Sequence, residues 1–456
     1  MARAASPVDL AATTKGARDV QGARREAKSG YPALWLSWSV WGVAALFYLF
    51  AFYLRVSPAV MTTELMRDFR ITAAELGTFS AFYFYAYVLM QLPTGVLVDL
   101  WGARKLLIVG TLAAAAGTFI FGFAPSYAVA SAGRALIGAS TAVAWVITLK
   151  LATHWFPAGQ FATLSGIGLF IGNIGALFAQ VPLRMLLDHF DWRTVALISG
   201  AIILALTLLA WAFVKNDPEE LGFESYSPPE LRHTRASLPW GERFRGLGRI
   251  FTYRNVVLIF LAQGGFLGAL LSFTGLWGPP YLRVRFAVPA TTAAAVCSVM
   301  VVCFAVASPL FGYLSDKIGR RKPLYLGGAL VAAAGWGVLF YAPGVGLTTF
   351  IAVAAVTSFA AGAIIIGFAF AKESVPIHFL GTVSGAVNMG NMIGPMLLQP
   401  AIGSVLDRRW SGAIAGGLRV YHAGDFQAGF LLIVAWSILT IVLVAFTRET
   451  FCKQAA

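Results

Sequence analysis

Long apolar runs, separated by short polar segments, recur along the whole chain. Twelve are distinguishable: 35–57, 73–98, 104–124, 127–153, 162–187 and 193–214, then 254–279, 290–314, 321–342, 346–372, 380–405 and 426–447. Each meets the roughly 20 apolar residues that a helix needs to cross a bilayer core. Backbone polar groups cannot stay unpaired in lipid, so these runs predict helices, and the alternation of a membrane β-barrel is absent. The predicted fold is all-α and polytopic, with twelve transmembrane helices. Residues 34–214 form a first six-helix bundle and 254–447 a second. A linker, 215–253, carries Pro218, Pro228, Pro229, Pro239 and many charges. The end segments 1–33 and 448–456 are predicted to be tails. The first mixes Ala, Gly, Arg and acids, lacks the apolar core of a signal peptide, and is predicted to be disordered.

Composition sharpens this reading. Hydrophobic residues make up 58% of the chain and charged residues 12%, with a mean hydropathy of +0.75. A soluble domain carries about a quarter charged residues. The net charge of +14 suggests nucleic acid, but its distribution argues otherwise. Four of the 34 Lys and Arg (Arg55, Arg134, Lys150, Lys372) fall within helices. With the N-terminus inside, 21 of the remaining 30 lie on the cytoplasmic side. This positive-inside bias places both termini in the cytoplasm and the protein in a plasma membrane, the bacterial inner membrane by expectation. The lipid bilayer, not nucleic acid, is the macroscopic partner. Cys297 and Cys303, six apart in one helix, face different directions, and no disulfide framework or metal spacing exists.

The two bundles repeat each other. Gly95-Val96-Leu97-Val98-Asp99-Leu100-Trp101-Gly102-Ala103-Arg104-Lys105 returns 217 residues later as Gly312-Tyr313-Leu314-Ser315-Asp316-Lys317-Ile318-Gly319-Arg320-Arg321-Lys322. Ser165-Gly166 recurs as Ser384-Gly385, and Gly172-Asn173-Ile174-Gly175 as Gly390-Asn391-Met392-Ile393-Gly394, at offsets of 219 and 218. Small residues let helices approach closely in lipid. The asparagines Asn173 and Asn391 are candidates for the pathway, with bonding between helices as the alternative. The doubled loop resembles that of the major facilitator superfamily, G-x-x-x-D-R/K-x-G-R-R/K, over nearly the whole chain. The first copy departs at Leu100 and Ala103. The resemblance implies two pseudo-symmetric bundles and a conformational latch made by Asp99, Arg104, Lys105, Asp316, Arg320 and Arg321. A carboxylate at a helix C-terminus is disfavoured by the dipole, so each Asp needs a basic partner or a neighbouring helix N-terminus.

Charges inside a membrane are costly and mark functional candidates. Arg55, in Tyr53-Leu54-Arg55-Val56-Ser57-Pro58, resembles the first-helix D/N-R motif of anion:cation symporters and organophosphate exchangers. There the arginine pairs with an anionic substrate; snorkelling to the interface is the alternative. Guanidinium suits carboxylate or phosphate because it donates two parallel bonds. The second helix, Tyr83 to Pro93 with Tyr85, Tyr87 and Gln91, is similar to that family's Y-x-x-x-Q-x-P-x-G. Arg134 looks like R-x-x-x-G, either bonding loop carbonyls or serving coupling. Lys150 matches K-x-x-x-x-W-F-P and either meets substrate from below or reaches the cytoplasm. The acid that often precedes that lysine by nine residues is here Thr141, which leaves Glu373 as the coupling candidate. Trp277 lies in a stretch resembling the family's W-x-P-x-Y-L, where unwound backbone would suit an outer gate. Tyr53, Tyr83, Tyr87, Gln91, Gln263 and Trp277 are candidate cavity donors.

No nucleotide-binding loop, nucleophile elbow or histidine cluster is present, which argues against an enzyme, a cofactor or a metal. The expected function is a secondary active, proton-coupled importer of a small organic solute, an anion such as a carboxylate, working as a monomer. An exporter of drugs or metabolites with the same fold would carry a fifth-helix G-x-x-x-G-P signature, which Gly168, Gly172 and Asn173 do not match. A cationic site would also suit a dipeptide or siderophore transporter, or a receptor that binds a solute without transporting it.

Overall fold

A computed structural model of the chain describes residues 30–227, 248–376 and 379–454. The expected tail up to residue 29 and the linker centre, 228–247, lie outside the described residues. Twelve long helices are found among those that are described. They are α1 (Leu34–Val60), α2 (73–101), α3 (103–122), α4 (Tyr127–Trp155), α5 (Ala158–Leu187), α6 (Trp192–Phe213), α7 (Arg254–Phe286), α8 (Ala290–Ile318), α9 (Lys322–Tyr341), α10 (Leu347–Glu373), α11 (Leu380–Arg409) and α12 (Ala423–Ala445). The segment Ala73–Gly122 is helical on both sides of Gly102, and unbroken it would make a 50-residue rod. At ~1.5 Å per residue such a rod would be more than twice as long as the bilayer is thick. Gly102, at φ 75° and ψ 163°, breaks it into two spans. Asn216 packs where a β-carbon would stand and bonds the Arg104 amide at 2.9 Å, so the turn admits no side chain.

Ten helical stretches are long and apolar enough to cross a membrane by themselves. The remaining two are α2 upstream of Pro93, and α11. Tyr83, Tyr85, Tyr87 and Gln91 dilute the first, and Ser384, Asn388, Asn391 and Gln399 the second. These two helices pack against each other across the halves. α7 runs beyond its expected end at 279. Its carboxyl-terminal end is not unwound, as the sequence suggested; the helix is instead widened into π-turns at Gly264–Gly268 and Phe273–Trp277. Such local adjustments re-satisfy backbone groups near Pro279 and Pro280. The loop between α11 and α12 adds a small hairpin, β1 (Ile414–Ala415) with β2 (Leu418–Arg419).

The halves sit side by side, α2 against α11, α5 against α8 and the end of α1 against α7. One apolar cluster belongs mainly to the first half, another to the second. The third, with Leu76, Phe273, Trp277 and Tyr281, is shared between them. Asp407, near the end of α11, accepts from the amides of Ala73 (3.3 Å) and Ala74 (2.8 Å) at the start of α2. Arg419 and Tyr421 hold the same carboxylate, which also complements the α2 dipole. This contact fixes the relative direction of the halves: the start of α2 and the end of α11 share one face. The turns at Asp99 and Asp316 therefore share the other, called the loop face below. The hydrogen bonds seen to join the halves among the described residues lie mid-membrane or at the face opposite. Gln180 Nε2 donates to the Thr274 carbonyl (3.0 Å) and Arg283 to Thr63 (3.3 Å). The structure is thus latched away from the loop face.

Candidate binding site between the halves

Pro58 determines where Arg55 stands. It has no N–H, so the carbonyl of Leu54 loses its helical donor, and α1 tightens into a 3₁₀ turn at Ser57–Val60. Arg134, on α4 and 2% exposed, supplies the missing donors. Its Nη1 bonds the Leu54 carbonyl and Nη2 that of Arg55 at 2.7 Å. Of the two roles open to Arg134, carbonyl binding is the one seen, and it holds the backbone that carries Arg55. Arg134 Nε has no protein partner, and Arg134 lines a small cavity of about 20 Å³. That is room for one water.

Arg55 is 5% exposed and does not snorkel. Its Nε donates to Tyr83 Oη (3.3 Å), and its Cζ lies 4.4 Å from the centre of the Phe52 ring and 5.3 Å from that of Tyr87. Tyr83 and Tyr87 stack one turn apart, and Thr141 Oγ1 lies 2.9 Å from Tyr83 Oη. Among the described residues no carboxylate pairs with Arg55. The helix period of α2 carries this wall on toward the loop face to Gln91. There the second half enters: Asn388 Nδ2 on α11 donates to Tyr87 Oη (3.4 Å) and to Gln91 Oε1 (3.1 Å). Sequence reasoning missed Asn388. It sits four residues after Ser384 and three before Asn391, a polar line on one helix face that could have pointed to it.

The other candidates divide. Asn391 is buried on α11 with Oδ1 unpartnered, and Gln263 is buried with Nε2 on the Ile364 carbonyl (3.3 Å) and Oε1 free of protein partners. Four are not brought to Arg55. Tyr53 Oη pairs with Ser199 (3.1 Å), because at two residues from Arg55 it faces α6 instead. Trp277 spends its indole donor on the Gln399 carbonyl (3.0 Å) inside the shared apolar cluster. Asn173 bonds the Leu169 carbonyl of its own helix (2.9 Å). Lys150 reaches the loop face, to the Val98 carbonyl (2.8 Å) and Asp99 (3.2 Å).

The repeated loops build two unlike networks, each within its own half. In the first, Asp99 takes Lys150 from α4, Arg104 Nη2 donates to the Trp211 carbonyl (2.8 Å), and Lys105 stands over the Trp101 ring. In the second, Arg321 is the centre: it bonds Ser315, Asp316 (2.5 Å) and Glu373 (2.7 Å), while Arg320 lies over Phe451. Burial opposes the Arg321 charge, but Glu373 and Asp316 outweigh it and hold its pKa above the ordinary value. Glu373 is thus tied to Arg321 and Thr450. Asp316 is 68% exposed and Arg321 8%. An exposed pair is worth about 0.2–1 kcal/mol, at most about fivefold in a population. Asp316→Asn should therefore lower flux by up to about fivefold and leave solute affinity unchanged, whereas Arg321→Ala should cost more. Equal flux from wild type and both variants in vesicles would remove the latch from this loop.

One roomier pocket, about 350 Å³, opens at the face opposite the loops between Glu64, Arg67, Asp68, Asp188 and Asp191. Its carboxylates make it a poor anion site.

Two repeated six-helix bundles that meet beside a buried arginine have the architecture of a membrane transporter. The chain matches the Major Facilitator Superfamily over residues 40–286 and 259–454, and it belongs to that family. It is 26% identical over 386 residues to the probable sulfoacetate transporter SauU of Cupriavidus necator, covering 81% of this chain and 87% of that one. It is 25% identical to the D-galactonate transporter of Escherichia coli O6:H1, covering 59% and 64%. Among solved structures, it resembles an inward-facing, unoccupied bacterial homolog of the human lysosomal transporter Spinster. That match has a TM-score of 0.70 and 19% identity, over 92% of this chain and 97% of that one. A D-xylose-proton symporter matches at TM-score 0.69 and 15% identity, over 92% and 99%.

Proposed function

We propose that the chain imports a small organic anion across the plasma membrane by alternating access, with the anion's charged head seated on Arg55. The observation that carries this is a buried guanidinium inside α1 that has hydroxyl and aromatic neighbours but no carboxylate. A buried charge left without a partner is costly, and an incoming carboxylate or sulfonate supplies the partner. The relatives named for sulfoacetate and D-galactonate transport support an anionic cargo. The positive bias of the loop face supports cytoplasmic termini. A thermal-shift panel of sulfoacetate, galactonate and galactarate against neutral sugars tests the reading. A ligand at 100 times its Kd stabilises the native state by about 2.7 kcal/mol. Stabilisation by the anions, lost in Arg55→Ala, is the expected result; stabilisation by neutral sugars alone would reverse it.

Proton coupling belongs to this proposal, with Glu373 as its carrier. Every acid among the described residues lies within a few positions of a helix end or outside the spans. Protonating Glu373 would cancel one charge facing Arg321 and loosen the network that ties α9 to α10 and the end segment. Glu373→Gln should abolish accumulation driven by an imposed pH gradient while leaving anion counterflow in place. Undiminished gradient-driven accumulation by that variant would place the carrier elsewhere.

A further inference from the structure

We infer that Asn388 is the second recognition point of the site, and that the cargo is an anion bearing a further hydrogen-bonding oxygen away from its charged head. This rests on the reading of Arg55 as the anchor. Among the described residues, the Asn388 amide makes side-chain hydrogen bonds that join the halves, to Tyr87 (3.4 Å) and Gln91 (3.1 Å). Tyr87 is also an aromatic neighbour of Arg55, at 5.3 Å from its Cζ, so one phenol stands between the charge and the amide. α2 runs toward the loop face from Tyr83 to Gln91, and α11 runs away from it. Gln91 and Asn388 are partly exposed, while Tyr87 and Arg55 are buried beyond them. An anion arriving from the loop face therefore meets the Asn388–Gln91 bond first and must part it to reach Arg55.

Parting that bond decides which anions are accepted. With the longer bond to Tyr87 parted as well, two donor hydrogens on Asn388 and an acceptor on Gln91 are freed. A cargo with a hydroxyl, a second carboxylate or a sulfonate oxygen can take the Asn388 hydrogens, and a hydroxyl can also satisfy Gln91. An alkyl carboxylate leaves both unpaired as the cavity closes and water leaves. Sites built to hydrogen-bond a substrate oxygen reject analogues lacking it for this reason. The same geometry links occupancy to movement. Arg55 belongs to the first half and Asn388 to the second, so a bifunctional anion spans the seam and draws the halves together.

The test is equilibrium binding to the purified full-length protein of galactonate, galactarate and sulfoacetate, which carry the second oxygen, and of hexanoate, which does not. Wild type should bind at least one of the first three at least tenfold more tightly than hexanoate. Asn388→Ala should erase that preference by weakening the oxygen-bearing anion at least tenfold, with hexanoate changed less than twofold. Asn388→Asp keeps the shape but loses the donors, and should fail in the same way; Asn388→Gln should recover part of the loss. Arg55→Ala should weaken all four probes. Full affinity in both Asn388→Ala and Asn388→Asp, with Arg55→Ala defective, overturns the role of Asn388 and leaves the anchor standing. Full affinity in Arg55→Ala, or no binding by any of the four probes, overturns the anchor and this inference with it.

Discussion

Arg55→Ala should weaken binding of the transported anion at least tenfold while the protein still inserts and elutes as a single species. Truncating one partner of a buried, hydrogen-bonded charge pair costs about 2–5 kcal/mol. At 5% exposure Arg55 has little water to replace the loss. Arg55→Lys should be impaired as well. The guanidinium stands over Phe52, with Cζ 4.4 Å from the ring centre, and donates to Tyr83 from Nε, and an ammonium point charge does not reproduce the planar fork. Titration calorimetry on the three proteins distinguishes this from interface anchoring, under which lysine substitutes freely. Arg134→Lys gives a related check. It should also reduce affinity, although Arg134 reaches the site only through the Leu54 and Arg55 carbonyls that it holds.

Gly403→Leu should drive the protein out of the conformation described above. Gly403 on α11 lies against the Ala73 carbonyl, and Gly77 on α2 lies against the backbone of Gln399 and Pro400. A β-carbon at either place overlaps main-chain atoms of the other half, which cannot rotate aside. The strain is relieved by separating α2 from α11 at the face opposite the loops, where Asp407 grips the start of α2. Overpacking of this kind costs about 1–3 kcal/mol, or about five- to 150-fold in the balance between states. Spin labels at Thr63 and Arg283, with Cys297, Cys303 and Cys452 replaced by serine, report the distance across that face. It should lengthen in Gly403→Leu and in Gly77→Leu, with transport lost. It should not change in Gly337→Leu, where nothing lies within 4 Å of the added carbon. Unaltered distances in both seam variants would mean that the close approach is not what holds this face shut.

Much of the architecture was legible because lipid leaves a chain few options. Apolar runs of bilayer length gave the twelve helices, and the doubled Gly–Asp–basic turn placed the halves and their common loop face. The Arg55 site was legible in part. Tyr83, Tyr87 and Gln91 follow from the helical period along α2, once Arg55 is taken as the charge they face. The facing of Tyr53 and Trp277 was not legible, because an aromatic residue in lipid carries no sign of which side it turns to; Ser199 and the Gln399 carbonyl hold them. Asn388, Asp407 and the glycine seam depend on contacts between residues some 300 positions apart. No local pattern encodes them. The pairing of Arg321 with Glu373 was hidden for the same reason: the loop pattern shows the cations and leaves the acid on another helix unmarked.

Flux measured with this protein alone in liposomes bears most directly on the central claim, that the seam between the halves carries an organic anion past Arg55. Vesicles loaded with unlabelled galactonate, galactarate or sulfoacetate should take up the corresponding labelled anion saturably. Neutral sugars should not compete, and Arg55→Ala vesicles should show the leak rate of empty liposomes. Uptake that is undiminished in Arg55→Ala, or confined to uncharged solutes, would contradict the account.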